Sequence, residues 1–148
     1  MTDEFPSRSP IDGGVLDSLR DRASTHPLVA RFEPERSNEA IVALRLVFDS
    51  DRYPETVAEA TLTIRWFENG ECSFHYRERR GEGGSGTWQC RWDKHPNPHA
   101  AYAHFHRPPD ADAGDVVDDP IEVTHPSDVF GRTLANVRER IASLWERK

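Results

Sequence analysis

Between positions 40 and 106 apolar and polar residues alternate with a period of two, and turn-forming residues interrupt the pattern at intervals. This predicts antiparallel strands over about 40–48, 58–67, 72–79, 87–93 and 101–106, with a shorter one at 28–32. Asn69-Gly70 marks a hairpin between two of them. Residues 49–55, which include Pro54, and the glycine-rich stretch 81–86 read as loops. One alternating set is oily: Leu62, Ile64 and Trp66; Phe74 and Tyr76; Trp88, Cys90 and Trp92; Ala103 and Phe105. The other holds Thr63 and Arg65; His75 and Arg77; Gln89, Arg91 and Asp93; Tyr102, His104 and His106. Successive strand side chains point to opposite faces, so a meander would gather the second set on one surface.

Helical spacing occurs twice. Asp12 is the expected cap of a helix carrying Val15, Leu16, Leu19 and Ala23, and Ser24-Thr25-His26-Pro27 stops it. Pro126-Ser127 opens the second helix, with Ser127 as the expected cap and Phe130, Leu134, Val137, Ile141, Leu144 and Trp145 on its apolar side. The acidic residues 110–119 read as irregular, and 121–124 as a short extended piece. The fold class is therefore α+β: an antiparallel meander of about five or six strands, with an N-terminal helix and a long C-terminal helix packed on one face. Residues 1–11 are expected to be a disordered tail and 12–148 a single domain.

At 148 residues the chain can bury a core without disulfides or metals. Its formal net charge is -7, thirteen of its 26 acids are Asp, and Lys94 and Lys148 are its only lysines. That balance predicts a halophilic, archaeal source. In near-molar salt the Debye length falls to about 3 Å, so recognition of a polyanion would rest on direct contacts. The planar fork of Arg suits such contacts better than the hydrated ammonium of Lys. No basic segment followed by an apolar run is visible, and no stretch approaches the ~20 apolar residues of a membrane span. The expected location is cytoplasmic, and Cys72 and Cys90, without a CxxC spacing, are expected to be small buried hydrophobes.

Gly81-Glu82-Gly83-Gly84-Ser85-Gly86 matches a dinucleotide-binding fingerprint in letters, but it lies between strands and lacks the helix start that would hold a pyrophosphate. The Arg/His face carries the stronger signal, because five of the seven histidines lie between 75 and 106. RNA cleavage by its own 2′-hydroxyl needs a base, an acid and a cation on the phosphate. His104 and His106 are acid/base candidates with His75 as a third, and Asp93 would orient an imidazole or guanidinium. Arg65, Arg77, Arg91 and Arg107 are the phosphate-binding candidates. That reading needs no cofactor.

Two alternatives stand beside it. The His104/His106 pair with Asp93, His95 or His99 could hold a divalent metal such as zinc, although the spacing matches no familiar zinc signature. An Arg-rich face could instead dock an acidic protein without any chemistry. Trp66, Trp88 and Trp92 share the oily phase and are assigned to the core, and His26 and His125 to the surface.

The segment Arg91-Trp92-Asp93-Lys94-His95-Pro96, then His104-Phe105-His106-Arg107, a proline-acidic stretch and a last helix resemble the TumE toxin family over about residues 40–148. Lys94 stands where the family pattern has Asn, and Asn97 where His is common, so its motif residues transfer to Asp93, Pro96 and His106. The resemblance implies a toxin encoded beside an antitoxin, with that antitoxin and RNA as partners.

Overall fold

The computed structural model describes residues 9–81, 86–96, 101–119 and 125–146. Helix α1 (Gly13–Ala23) is followed by strands β1 (Val29–Ser37), β2 (Ala40–Phe48), β3 (Val57–Trp66), β4 (Cys72–Arg80), β5 (Thr87–Lys94), β6 (Ala103–His106) and β7 (Val116–Asp118), then by helix α2 (Pro126–Trp145). The seven strands form one antiparallel sheet in sequential order. The α+β class and the paired helices follow the sequence reading, while the strand count is seven and not five or six. Among the described residues, no helix is long and apolar enough to cross a membrane.

Both departures lie at the ends of the sheet. β1 continues to Ser37, well past the apolar run that suggested 28–32, because Asn38 and Glu39 both take positive φ (52° and 70°) and close a tight two-residue hairpin onto β2. Its sequence, with Pro34 and alternating charges, gives no apolar signal because this is an exposed edge. β7 falls inside the acidic stretch expected to be irregular, where Val116–Asp118 pairs with β6. Residues 121–124, 82–85 and 97–100, and with them the suggested extended piece, the inside of the glycine-rich loop and His99, lie outside the described residues.

The oily phase forms the core as predicted. Leu62, Ile64, Trp66, Phe74, Tyr76 and Cys90 are buried, and Trp88, Trp92 and Phe105 pack against them. Leu16, Leu19 and Ala23 of α1 and Phe130, Leu134, Val137, Ile141 and Leu144 of α2 cover this face. Cys72 and Cys90 are free and buried, and burial pushes each thiol up to about 12. Asp12 caps α1 through Val15 N, but α2 is capped by His125, whose Nδ1 accepts from Ser127 N at 3.1 Å, and not by Ser127. Trp145, placed on the apolar side, is 56% exposed and donates through Nε1 to Arg52 O at 2.7 Å.

One acid lies on the helix side of the sheet. Glu78, 0% exposed, accepts two hydrogen bonds from Arg140 of α2 (2.8 and 2.7 Å) and one from Tyr76 Oη, which also contacts Tyr53 Oη at 2.8 Å. The Arg140 guanidinium lies over the Trp88 ring, 3.5 Å from its centroid. This bidentate pair sets the position of α2 on the sheet, because sliding the helix would strand two charges out of water. Arg140→Ala is expected to cost about 3–5 kcal/mol, because it leaves Glu78 buried without its cation, whereas Glu78→Gln combined with Arg140→Met should recover part of that loss. Urea unfolding of the two variants measures the difference.

Candidate functional site

Strand register assembles the opposite face. Antiparallel pairing sets Thr63 against His75, His75 against Arg91, and Arg91 against His106, while Arg65 faces Ser73, Ser73 faces Asp93, and Asp93 faces His104. Distant basic groups thus meet in two adjacent rows across the sheet. The rows divide into an open concavity over β2 to β5 and a buried cluster between β5 and β6.

The concavity encloses about 620 Å³ and is lined by Arg45, Arg65, His75, Arg77, Gln89 and Arg91, with Glu35 at its β1 side. His75 Nε2 lies 2.7 Å from Gln89 Oε1. A carbonyl oxygen can only accept, so Nε2 carries the hydrogen and Nδ1 is the basic nitrogen of the neutral ring. Arg45 sits 3.2 Å from Glu33 and 3.5 Å from Glu35, and Arg65 is 3.7 Å from Glu35. Arg77 is exposed and has no ion-pair partner among the described residues. The acids of β1 were missed because that strand was read as too short. Arg45 was legible, since extending the same in-out phase to β2 places it opposite Thr63.

In the cluster, Asp93 Oδ2 accepts from Arg91 Nε at 2.9 Å. The same oxygen lies 3.1 Å from His106 Nε2, 3.5 Å from His95 Nε2 and 3.8 Å from His104 Nε2. Asp93, His104 and His106 are 3%, 0% and 2% exposed. They lie on the sheet face opposite the helices, where His106 meets the chain that follows β6 and His104 the residues just before it. The chain after β6 folds back so that Ala111 is buried, Gln89 N donates to Pro109 O at 2.8 Å, and Asp112 O reaches His106 Nδ1 at 3.2 Å. Burial acts to raise the Asp93 carboxyl, but the contacts from His106 and His95 and the Arg91 charge outweigh it and hold the group well below the usual carboxylate range. For His95 burial acts downward, yet Asp93 and the Pro96 carbonyl outweigh it and raise the ring, while burial lowers His104.

The sequence-predicted residues thus separate into three places. Arg65, Arg77, His75 and Arg91 line the concavity. Asp93, His104 and His106 form the cluster behind Arg91, which belongs to both. Arg107 joins neither, since its exposed guanidinium is bound to Asp115 at 2.6–2.7 Å. His95, which entered the sequence reading only as a possible ligand, is part of the cluster, and its odd-numbered phase with Asp93 was the available signal.

A meander with a cationic concave face and an Asp/His cluster behind it sits on a chain that matches a known family over most of its length. The family model described as toxin TumE matches residues 17–141, and the chain belongs to that toxin family. No curated protein and no solved structure gives a match.

Replacing Asp93 by Asn leaves Arg91 buried against a neutral amide, and the expected loss of folding free energy is about 3–5 kcal/mol. Arg107→Ala, which removes an exposed ion pair, should change stability by about 1 kcal/mol or less. Urea midpoints measure both; an Asp93→Asn protein as stable as the parent would show that the carboxylate does not organise the cluster.

Proposed function

We propose that this TumE-family toxin acts on RNA through the concave face, as a ribonuclease that needs no metal for the chemical step. The observation that carries the reading is the convergence of four guanidinium groups and one imidazole on a single open concavity of a chain whose net charge is -7. Phosphate oxygens are the ligands that Arg forks recognise best, and Arg77 is exposed there with no ion-pair partner among the described residues.

In this mechanism the phosphodiester lies across Arg65, Arg77 and Arg91, and the ribose 2′-hydroxyl faces His75. Nδ1 of His75 takes the hydroxyl proton as the 2′ oxygen bonds to phosphorus. The bond from phosphorus to the 5′ oxygen then breaks, and that oxygen takes a proton from solvent at the open face. The products are a 2′,3′-cyclic phosphate and a 5′-hydroxyl. The arginines stabilise the charge that builds on the phosphoryl oxygens. His104 and His106 are too buried to reach the substrate, and they work through Asp93 by fixing the direction of Arg91. The site works in the cytoplasm, and a cognate antitoxin neutralises it by placing carboxylates against the same arginines.

His75→Ala is expected to lower the cleavage rate by about 10²–10⁴-fold, the usual contribution of a general base, while RNA binding and the circular dichroism spectrum persist. Arg77→Ala should weaken RNA binding and reduce the slope of log affinity against log salt by about 1. Cleavage at the parent rate by a folded His75→Ala protein would remove His75 from the chemistry, and unaltered RNA affinity in Arg77→Ala would remove RNA from this face.

A further inference from the structure

The buried cluster leaves two polar atoms, one on Asp93 and one on His106, without a hydrogen-bond partner. His95 Nδ1 lies 2.8 Å from the Pro96 carbonyl, His104 Nδ1 2.9 Å from the Ala101 carbonyl and His106 Nδ1 3.2 Å from the Asp112 carbonyl. A carbonyl oxygen cannot donate, so in each neutral ring the hydrogen sits on Nδ1 and the lone pair on Nε2. All three Nε2 atoms nevertheless point at the Asp93 carboxylate, at 3.1 to 3.8 Å. Where the rings are neutral, these lone pairs and the anion face one another, an arrangement that a cation placed among them relieves. Arg91 covers part of one carboxylate oxygen, but Asp93 Oδ1 and His106 Nε2 remain buried without a hydrogen-bond partner.

From this geometry we infer that Asp93, His104 and His106, with His95 as the fourth ligand, form a divalent-cation site selective for zinc. The ligand atoms of Asp93, His104 and His106 already lie within 4.8 Å of one another. A tetrahedral zinc with bonds of 2.0–2.2 Å separates its donors by about 3.3 Å, so closing on the ion needs side-chain shifts on the order of 1 Å. Hydrogen bonding of each ring's other nitrogen to a carbonyl is the outer-shell arrangement that fixes metal-binding histidines. Three imidazoles and one carboxylate suit zinc, whereas magnesium and calcium prefer oxygen ligands throughout.

The site is a pair of alternating motifs on neighbouring strands, Asp93-Lys94-His95 and His104-Phe105-His106, brought into line by the pairing of Asp93 with His104. With four protein ligands it has no open position, so the ion is a clamp. It ties β5 to β6, takes up the orphaned Asp93 oxygen, and braces Arg91 from behind. This inference does not depend on RNA being the target.

The test uses the full-length, untagged protein, stripped with a chelator, dialysed, and titrated with Zn²⁺ and separately with Co²⁺. One equivalent of Zn²⁺ should bind and raise the melting temperature, and Co²⁺ should give the intense visible absorption of a tetrahedral site. His106→Gln should weaken Zn²⁺ binding by about 100-fold or more, and His95→Ala, at the more exposed side, by about 10-fold with an unchanged circular dichroism spectrum. Arg77→Ala should bind Zn²⁺ like the parent, which separates this site from the RNA-binding face. Absence of stoichiometric Zn²⁺ binding in the parent protein overturns the inference, as does parental affinity in folded His95→Ala; the second variant decides the matter if His106→Gln does not fold.

Discussion

A single carboxylate withdrawn from water organises the working half of this protein. Asp93 lies near the C-terminal end of β5, and four nitrogen-bearing side chains from β5, β6 and the turn after β5 converge on it. Because the cost of an unpaired buried charge exceeds what one hydrogen bond returns, Asp93 constrains every group around it. Arg91 is the most affected. With its Nε committed to Asp93, the guanidinium has one preferred direction, and that direction places it on the wall of the concavity.

The helix side repeats the device with another purpose. Glu78 and Arg140 lock α2 to the sheet through a two-pronged ion pair, as Asp93 and Arg91 lock two neighbouring positions of one strand. Tyr53 and Tyr76 extend the Glu78 network, and burial pushes both phenols up, so they remain hydroxyl groups able to donate. Each layer is therefore specified by one buried acid and not by apolar packing alone, which would tolerate a helix slipped along the sheet.

The central strands were legible in the sequence because period-two alternation is a direct readout of a sheet with one dry face. Leu62 to Trp66, Phe74 to Tyr76 and Trp88 to Trp92 carried the register that the structure then displays. The ends of the sheet were not legible for the opposite reason. β1 and β7 bury little, so nothing in their composition distinguishes Glu33 or Val117 from loop residues, and pairing with a neighbour decides their conformation. The candidate site was legible as a face but not as a pair of compartments. Alternation tells which side of a sheet His104 and His106 occupy, whereas it does not tell that both are buried there or that the segment around Ala111 folds back to reach His106. The Glu78–Arg140 pair was missed because an acid in the oily phase of β4 gives no sign of a partner 62 residues away.

The exposed border formed by β1 has a consequence for how other chains can approach. A bare strand of nine residues would ordinarily be a template for strand addition, yet Pro34 contributes no amide hydrogen at its middle, and the flanking Arg31, Glu33 and Glu35 carry charges. The opposite border is only three residues long. Backbone-to-backbone docking is therefore disfavoured at both margins, so association with another macromolecule is steered to side-chain recognition on the broad surface, and the sheet is guarded against polymerising with copies of itself.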